Sequence, residues 1–371
     1  MIVGIPKEIK DNEKRVSLTP FGAQELMKSG NTVFVENNAG LGSGFSNNQY
    51  IKSGAIILDS PEDIFSKSDI IIKVKEPQSE EIKYIKENQI IFTFFHFAAS
   101  NELTHQMIDT GATCLAYETV QNNNGTLPIL IPMSEVAGRM SVQNGAKCLE
   151  GNMGGKGKLL GGVPGVDAST VTILGGGIVG TNAAKLAAGL GAKVYILDIN
   201  MDRLRYLDDI MPANVQTMYS NYHNISDLLR YTDLLIGSVL VVGSKAPTLV
   251  NKNMLKNMNF GSVIVDVAVD QGGCVESCKP TTHNEPTYIV DDIVHYCVSN
   301  MPGSVPHTST LALTNITLPY IETLSNYGLK NSLLNDQSLL KGLNIHQGRI
   351  CHQGVAKSFD LNYHDSLSLF S

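Results

Sequence analysis

No stretch of the 371-residue sequence is apolar for long enough to cross a bilayer: runs such as Gln89 to Ala99 stop well short of the roughly 20 residues a spanning helix requires. The N-terminus, MIVGIPKEIK, lacks a basic region followed by an apolar one, so a secretory leader is not expected. Cysteine is sparse. Its six copies form no C-x-x-C, and Cys274 and Cys278, four apart, have no second pair at zinc spacing. Reduced thiols in a cytoplasmic protein, with no metal, are therefore expected. Positive charge is in deficit too: 28 Lys and Arg stand against 35 Asp and Glu, and no basic cluster is interleaved with aromatics, which excludes a general nucleic-acid binder. Tandem repeats and low-complexity segments are absent. A small molecule is the expected partner.

What is present suits two soluble domains, since 371 residues exceed one ordinary core and 43% hydrophobic with 17% charged residues can bury a sizeable interior. The most informative stretch runs from Val171 to Asp198, VTILGGGIVGTNAAKLAAGLGAKVYILD, and reads as strand, tight turn, helix, strand, carboxylate. Gly175, Gly177 and Gly180 hold the G-x-G-x-x-G spacing: the first permits the turn, the second lets backbone approach a pyrophosphate, and the third lets the helix pack close to the strand. Val179 lies in the same segment, where helix N–H groups and a partial positive charge face the phosphates. Asp198, 18 residues beyond Gly180, ends the second strand; a carboxylate there accepts both ribose hydroxyls and repels a 2′-phosphate, so NAD is expected rather than NADP. The competing reading is a structural glycine turn in another α/β protein. The flanking strand, helix and acid weigh against it.

Residues 1 to about 127 alternate β-branched runs with helical segments: Ile2–Ile5, Thr32–Val35, Ala55–Leu58, Asp69–Val74, Gln89–Phe95 and Ala112–Tyr117 read as strands. Helix ends are legible where Thr19 precedes Pro20 and Gly30 follows, and where Ser60-Pro61 opens a segment reaching Lys67. Such a β-α series builds a largely parallel sheet, and ligands bind beyond the carboxyl ends of its strands. Arg15, Lys75, His96 and Glu118 all fall at such exits. Two cations together suit a substrate carboxylate, and a histidine beside them suits general acid/base work. The bland alternatives are a solvated Arg15, one of Lys73 and Lys75 merely exposed, and a core histidine.

Between Leu127 and Leu160 the string ILIPMSEVAGRMSVQNGAKCLE reads as a long helix leaving the first sheet, with Ser134 near its start, where a hydroxyl and free N–H groups meet a phosphate, and the glycine-rich MGGKGKLLGGVPGV that follows reads as a loop. A second series of six strands follows (VTIL, KVYIL, VQTMYS, DLLIGSVL, SVIVDVAV, HYCVS), whose exits carry Asp198, Ser220, Val239 and Leu240, Asp270 and Asn300, with Arg203 on the adenosine side. Asp270 on the nicotinamide side suits orienting water or ammonia, or binding a ribose hydroxyl; Asp266, inside the strand, reads as a structural acid. After Pro302 and Pro306, Thr308–Tyr327 reads as a helix returning to the first sheet, and the tail as short helical pieces. The expected architecture is two doubly wound Rossmann-like α/β domains with mainly parallel sheets, joined by long helices, with the active site in the interdomain cleft. A discontinuous catalytic domain would comprise residues 1–128 and 308–371, and an NAD-binding domain residues 129–307.

The strings IPKEIKDNEKRVSLTP, KVKEP, LLGGVPGV, ILGGGIVGTNAAKLAAGLGAKV, SVIVDVAVDQGG and NMPGSVPHTSTLALTN together resemble the alanine dehydrogenase family over most of the chain. The resemblance implies reversible, NAD-dependent oxidative deamination of L-alanine to pyruvate and ammonia by a hexamer. It implies His96 and Asp270 as the catalytic pair, and Arg15 and Lys75 on the substrate carboxylate and carbonyl. It also implies Ser134, Asp198, Arg203, Ser220, Val239, Leu240, Val267, Asp270, Asn300 and Met301 as cofactor contacts. Two positions depart from the family pattern: Phe94, where tyrosine is common, and His307, where arginine is usual. A soluble transhydrogenase-like NAD-binding subunit and a non-catalytic NADH-binding protein on the same fold are the alternatives.

Overall fold

The computed structural model describes residues 1–239 and 246–370. The chain divides into two units, unit 1 made of Met1–Met133 with Val305–Ser371 and unit 2 of Ser134–Ser304. In unit 1 the β-branched runs become β1 (Ile2–Ile5), β2 (Thr32–Glu36), β3 (Ile56–Leu58), β4 (Ile70–Ile72), β5 (Ile90–Thr93) and β6 (Thr113–Ala116). The three isoleucines of β4 are wholly buried, as a parallel strand covered on both faces requires. All pairings among these strands are parallel in the order β6-β5-β4-β1-β2-β3, so the winding reverses between β1 and β4. The loops leaving those two strands flank the point where open α/β sheets take their ligands. Thr19 caps the helix Pro20–Lys28 by accepting from Gly22 N, and Gly30 at φ +84° turns the chain away beyond its end.

Unit 2 contains β7 (Thr170–Leu174), β8 (Lys193–Asp198), β9 (Val215–Tyr219), β10 (Leu234–Gly237), β11 (Val263–Asp266), β12 (Thr287–Val290) and β13 (Ile293–Tyr296). Their order is β12-β13-β11-β10-β7-β8-β9, and every pairing is parallel except β12 with β13. The sequence reading found six strands here and placed the last at HYCVS. The missed strand, β12, is a partly buried edge with weak alternation, joined to β13 by Asp291 and Asp292 at φ +49° and +61°, the left-handed pair of a tight hairpin. That turn fixes the register and pulls β13 upstream.

The tail differs more. Instead of helical pieces alone it supplies β14 (Leu343–His346) and β15 (Arg349–Ile350), which extend the first sheet antiparallel beyond β6. A bulge between Leu343 and Ile345 and a buried Asn344, whose amide donates to Thr119 Oγ1 at 2.6 Å and Gly342 O at 2.9 Å, break the apolar alternation that marks a strand. The returning helix spans Pro306–Asn335, interrupted at Gly328, whose φ of 71° and ψ of 167° are non-helical. Among the described residues no helix is long and apolar enough to cross a membrane.

Candidate active site

Arg15, in the loop after β1, is buried, and so is Glu13 beside it. Glu13 grips the guanidinium with both oxygens, at 2.7 Å from Nε and 2.5 Å from Nη2, and also accepts from the Arg15 main-chain N at 3.0 Å; Nη1 reaches Met133 Sδ at 3.2 Å. Burial alone would push the Glu13 carboxyl up, yet the Arg15 hydrogen bonds and charge hold it at about 2. The solvated-charge reading of Arg15 is thereby excluded. Lys75 is half-buried, and burial followed by the nearby Arg15 charge lowers its ammonium below the ordinary lysine value. Lys73 is not an exposed neighbour either: it is fully buried between Glu8 and Glu81, whose charges keep it protonated against the cost of burial.

His96 lies three residues beyond β5, exposed, in the left-handed region at φ 53° and ψ 40°. A non-glycine residue there costs about 1–3 kcal/mol, so something must hold it. Glu118, in the turn after β6, does so: its carboxylate accepts from His96 N at 2.5 Å and Phe95 N at 3.3 Å. Glu118 therefore anchors the histidine's backbone. The Phe94 ring stacks on the imidazole, centroids 5.9 Å apart and planes within 4°. An open cavity of about 340 Å³ borders His96, with Lys10, Glu76, Gln78, Ser100 and Gln106 on its walls. His307 is structural, with Nδ1 2.7 Å from Ser43 O and its ring stacked on Phe45.

In unit 2 the glycine turn has the geometry its spacing promised. Gly175 sits at φ +102°; a Cβ on Gly180 would lie 1.9 Å from Gly175 O; open space faces Gly177, the N-cap of the helix Ile178–Gly189 that carries Val179. That gap and the free helix end fit a pyrophosphate. Asp198 closes β8 with Oδ2 accepting from Gly176 N at 2.7 Å and Oδ1 from Asn200 N at 2.8 Å. Arg203 is tied to the same turn, donating to Gly176 O and Thr181 Oγ1, each at 2.6 Å. Ser220 follows β9, its N–H bonded to Asp198 O, while Val239 follows β10; Leu240 lies outside the described residues.

Ser134 is the fifth residue of the helix Leu130–Cys148, past the four positions whose N–H groups are free, so only its hydroxyl is on offer. Asp270 does not close a strand: β11 ends at Asp266, and Asp270 is exposed in the short turn Val269–Gln271. Asp266 is the structural acid expected of it, accepting from Ala268 N, Cys274 N and Val275 N at 2.9–3.2 Å and so shaping the loop that bears Asp270. Val267 bonds through its N–H to Gly237 O; Asn300, at φ 59°, precedes the turn Met301–Ser304, where Met301 is buried. Sequence reasoning missed Glu8, Glu13, Glu81 and Thr93, each polar residue being matched to a partner that only folding supplies. The one local hint was the acid two residues before Arg15.

A Rossmann-type phosphate turn in one unit and a histidine with two half- or fully buried cations at strand exits in the other define a two-unit α/β nucleotide-binding protein. Residues 4–137 match the alanine dehydrogenase/PNT N-terminal domain, and residues 141–353 the corresponding C-terminal domain. The chain is 52% identical to alanine dehydrogenase of Bacillus subtilis (strain 168) over 364 residues, covering 98% of this chain and 96% of that protein. It is 51% identical to alanine dehydrogenase of Methanococcus maripaludis, with 98% of each chain covered. A solved L-alanine dehydrogenase structure superposes with a TM-score of 0.95 at 51% identity, covering 97% of this chain and 99% of that one. The chain belongs to the alanine dehydrogenase/PNT family.

Proposed function

We propose that this protein is an NAD-dependent alanine dehydrogenase that interconverts L-alanine and water with pyruvate and ammonia. The observation that carries the reading is full-length similarity, at about half identity, to proteins named for that activity. The residues fit it chemically. NAD, when bound, supplies the acceptor for hydride leaving the substrate Cα. The turn at Gly175, Gly177, Val179 and Gly180 cradles the pyrophosphate, and Asp198 takes the adenosine ribose and disfavours a 2′-phosphate. Ser134, Arg203, Ser220, Val239, Leu240, Val267, Asn300 and Met301 complete the cofactor contacts.

On the substrate side Arg15, its plane fixed by Glu13, orients the carboxylate, and Lys75 donates to the carbonyl oxygen of pyruvate. His96 takes and returns protons as water adds to the substrate's iminium carbon and ammonia departs, while Asp270 holds the water or ammonia. The lowered Lys75 ammonium is a readier proton donor to that oxygen than an ordinary lysine. Six free cysteines suit a reducing cytoplasm. Exposed Leu159, Val163 and Val166 on one loop offer apolar surface for assembly into a homo-hexamer.

The test is direct. Purified protein with L-alanine and NAD should generate NADH absorbance, and the rate with NADP should be far lower. Protein that binds NADH yet turns over no amino acid would instead be a non-catalytic binder, and turnover in transhydrogenation alone would replace the reading with the other.

A further inference from the structure

Beside Lys75 lies a buried charge network to which the chemistry above gives no part. The Lys73 ammonium, wholly out of solvent, is 3.1 Å from Glu8 Oε2 and 2.7 Å from Glu81 Oε1. Glu81 uses its second oxygen to accept from Gln78 N at 2.8 Å, closing the first turn of the helix Ser79–Ile82. Glu8, three residues past β1, uses its second oxygen differently: Oε1 accepts from Val74 N at 2.6 Å and from Lys75 N at 3.3 Å. From the other side, Thr93 at the end of β5 donates its hydroxyl to Lys75 O at 2.9 Å.

Both main-chain polar groups of Lys75 are thus held by side chains from neighbouring strand exits. A buried ion pair adds little net stability over apolar residues of the same volume, so stability alone is a poor reason to keep three charges inside. Geometry is a better one. β4 ends at Ile72, and a lysine three residues beyond a strand end, on an unsupported loop, would spread its long side chain over many positions. We propose that Glu8, locked in place by Lys73, and Thr93 are positioning residues for Lys75, fixing its backbone so that the ammonium is delivered to one point of the substrate. The inference rests on the assignment of Lys75 to substrate made above. It acts through the backbone: burial and Arg15, rather than Glu8, dominate the Lys75 ammonium itself.

Steady-state kinetics and NADH titration of Glu8→Ala, Glu8→Gln, Thr93→Val, Lys75→Ala and the Glu8→Ala/Lys75→Ala double variant test this. Glu8→Ala and Thr93→Val should each raise the KM for pyruvate on the order of tenfold with NADH affinity unchanged. Glu8→Gln, which keeps an acceptor for the two N–H groups, should recover part of the loss. In the Lys75→Ala background Glu8→Ala should add nothing to KM, because its route to substrate is gone. A merely structural network would lower thermal stability in every variant while leaving the pyruvate KM of folded enzyme at the wild-type value, or would add the same loss with and without Lys75; either result overturns the proposal. Should Glu8→Ala fail to fold, Thr93→Val, nearly isosteric, carries the same comparison. If Lys75→Ala itself leaves KM unchanged, the substrate role of Lys75 is wrong and the positioning role falls with it. A large Lys75→Ala effect beside silent Glu8 and Thr93 variants removes the positioning role alone.

Discussion

In unit 2 the ligand-facing turn is made of main chain, Gly175 to Gly180, with Asp198 and Arg203 tied to Gly176 from a neighbouring strand and helix. In unit 1 the corresponding strand exits carry polar side chains held by carboxylates far along the sequence or hidden in a polar run: Arg15 by Glu13 and Lys73 by Glu8 and Glu81 through their charges, His96 by Glu118 through its main-chain N–H. The first design depends on what a residue lacks, a Cβ. The second depends on partners, so a single substitution orphans a charge. One consequence is that the same kind of substitution should fail differently in the two units.

The largest effect is expected at His96. If it moves protons during turnover, His96→Ala should lower kcat about 10²–10⁴-fold while NADH binding, measured by fluorescence titration, stays intact. Equal loss of binding would break the division of labour between units. Next, Arg15→Ala leaves Glu13 buried without its cation and should cost about 3–5 kcal/mol in urea unfolding, in addition to any loss of substrate affinity.

The same pair sets a pH dependence. Glu13 is held at about 2 in the folded chain against an ordinary 4.5, so its contribution, about 3 kcal/mol, is present above pH 4.5 and is lost as pH falls from there toward 2. The stability gap between wild type and Glu13→Gln should therefore close across that window, and a gap that stays constant would count against the pairing. In unit 2, Gly180→Ala forces a methyl to within 1.9 Å of Gly175 O and should cost about 1–3 kcal/mol, with weakened NAD binding. Smallest is Asp198→Ser, which should shift the NAD to NADP ratio of kcat/KM by about tenfold, with an unchanged ratio removing Asp198 as the selector.

How much of this was legible follows the same division. The glycine turn, the capped helix after Thr19 and the parallel strands up to β11 were readable because local sequence decides them: β-branched runs, turn glycines, Pro after a capping threonine. The exits of β1, β4, β5 and β6 were readable as positions, since strand ends follow from strand runs. What those exits do was not. Glu13 and Arg15 sit in KDNEKR, a run that looks solvated, and only the covering chain makes it an interior. For Glu118 the sequence shows a carboxylate at a strand exit and not the two N–H groups it faces. β12 and β14 were missed because an edge strand and a bulged strand need less apolar sequence than a central one.

The two strands at the chain's end also bear on how the protein is made. Unit 2 is a continuous stretch, Ser134–Ser304, and emerges from the ribosome whole. Unit 1 begins first and finishes last: β6 has its outer edge without a neighbour until residues 343–350 are synthesised and pair β14 against it. Through most of translation the sheet that carries Arg15, Lys75 and His96 therefore presents an open edge, the kind of surface chaperones guard and premature termination leaves exposed.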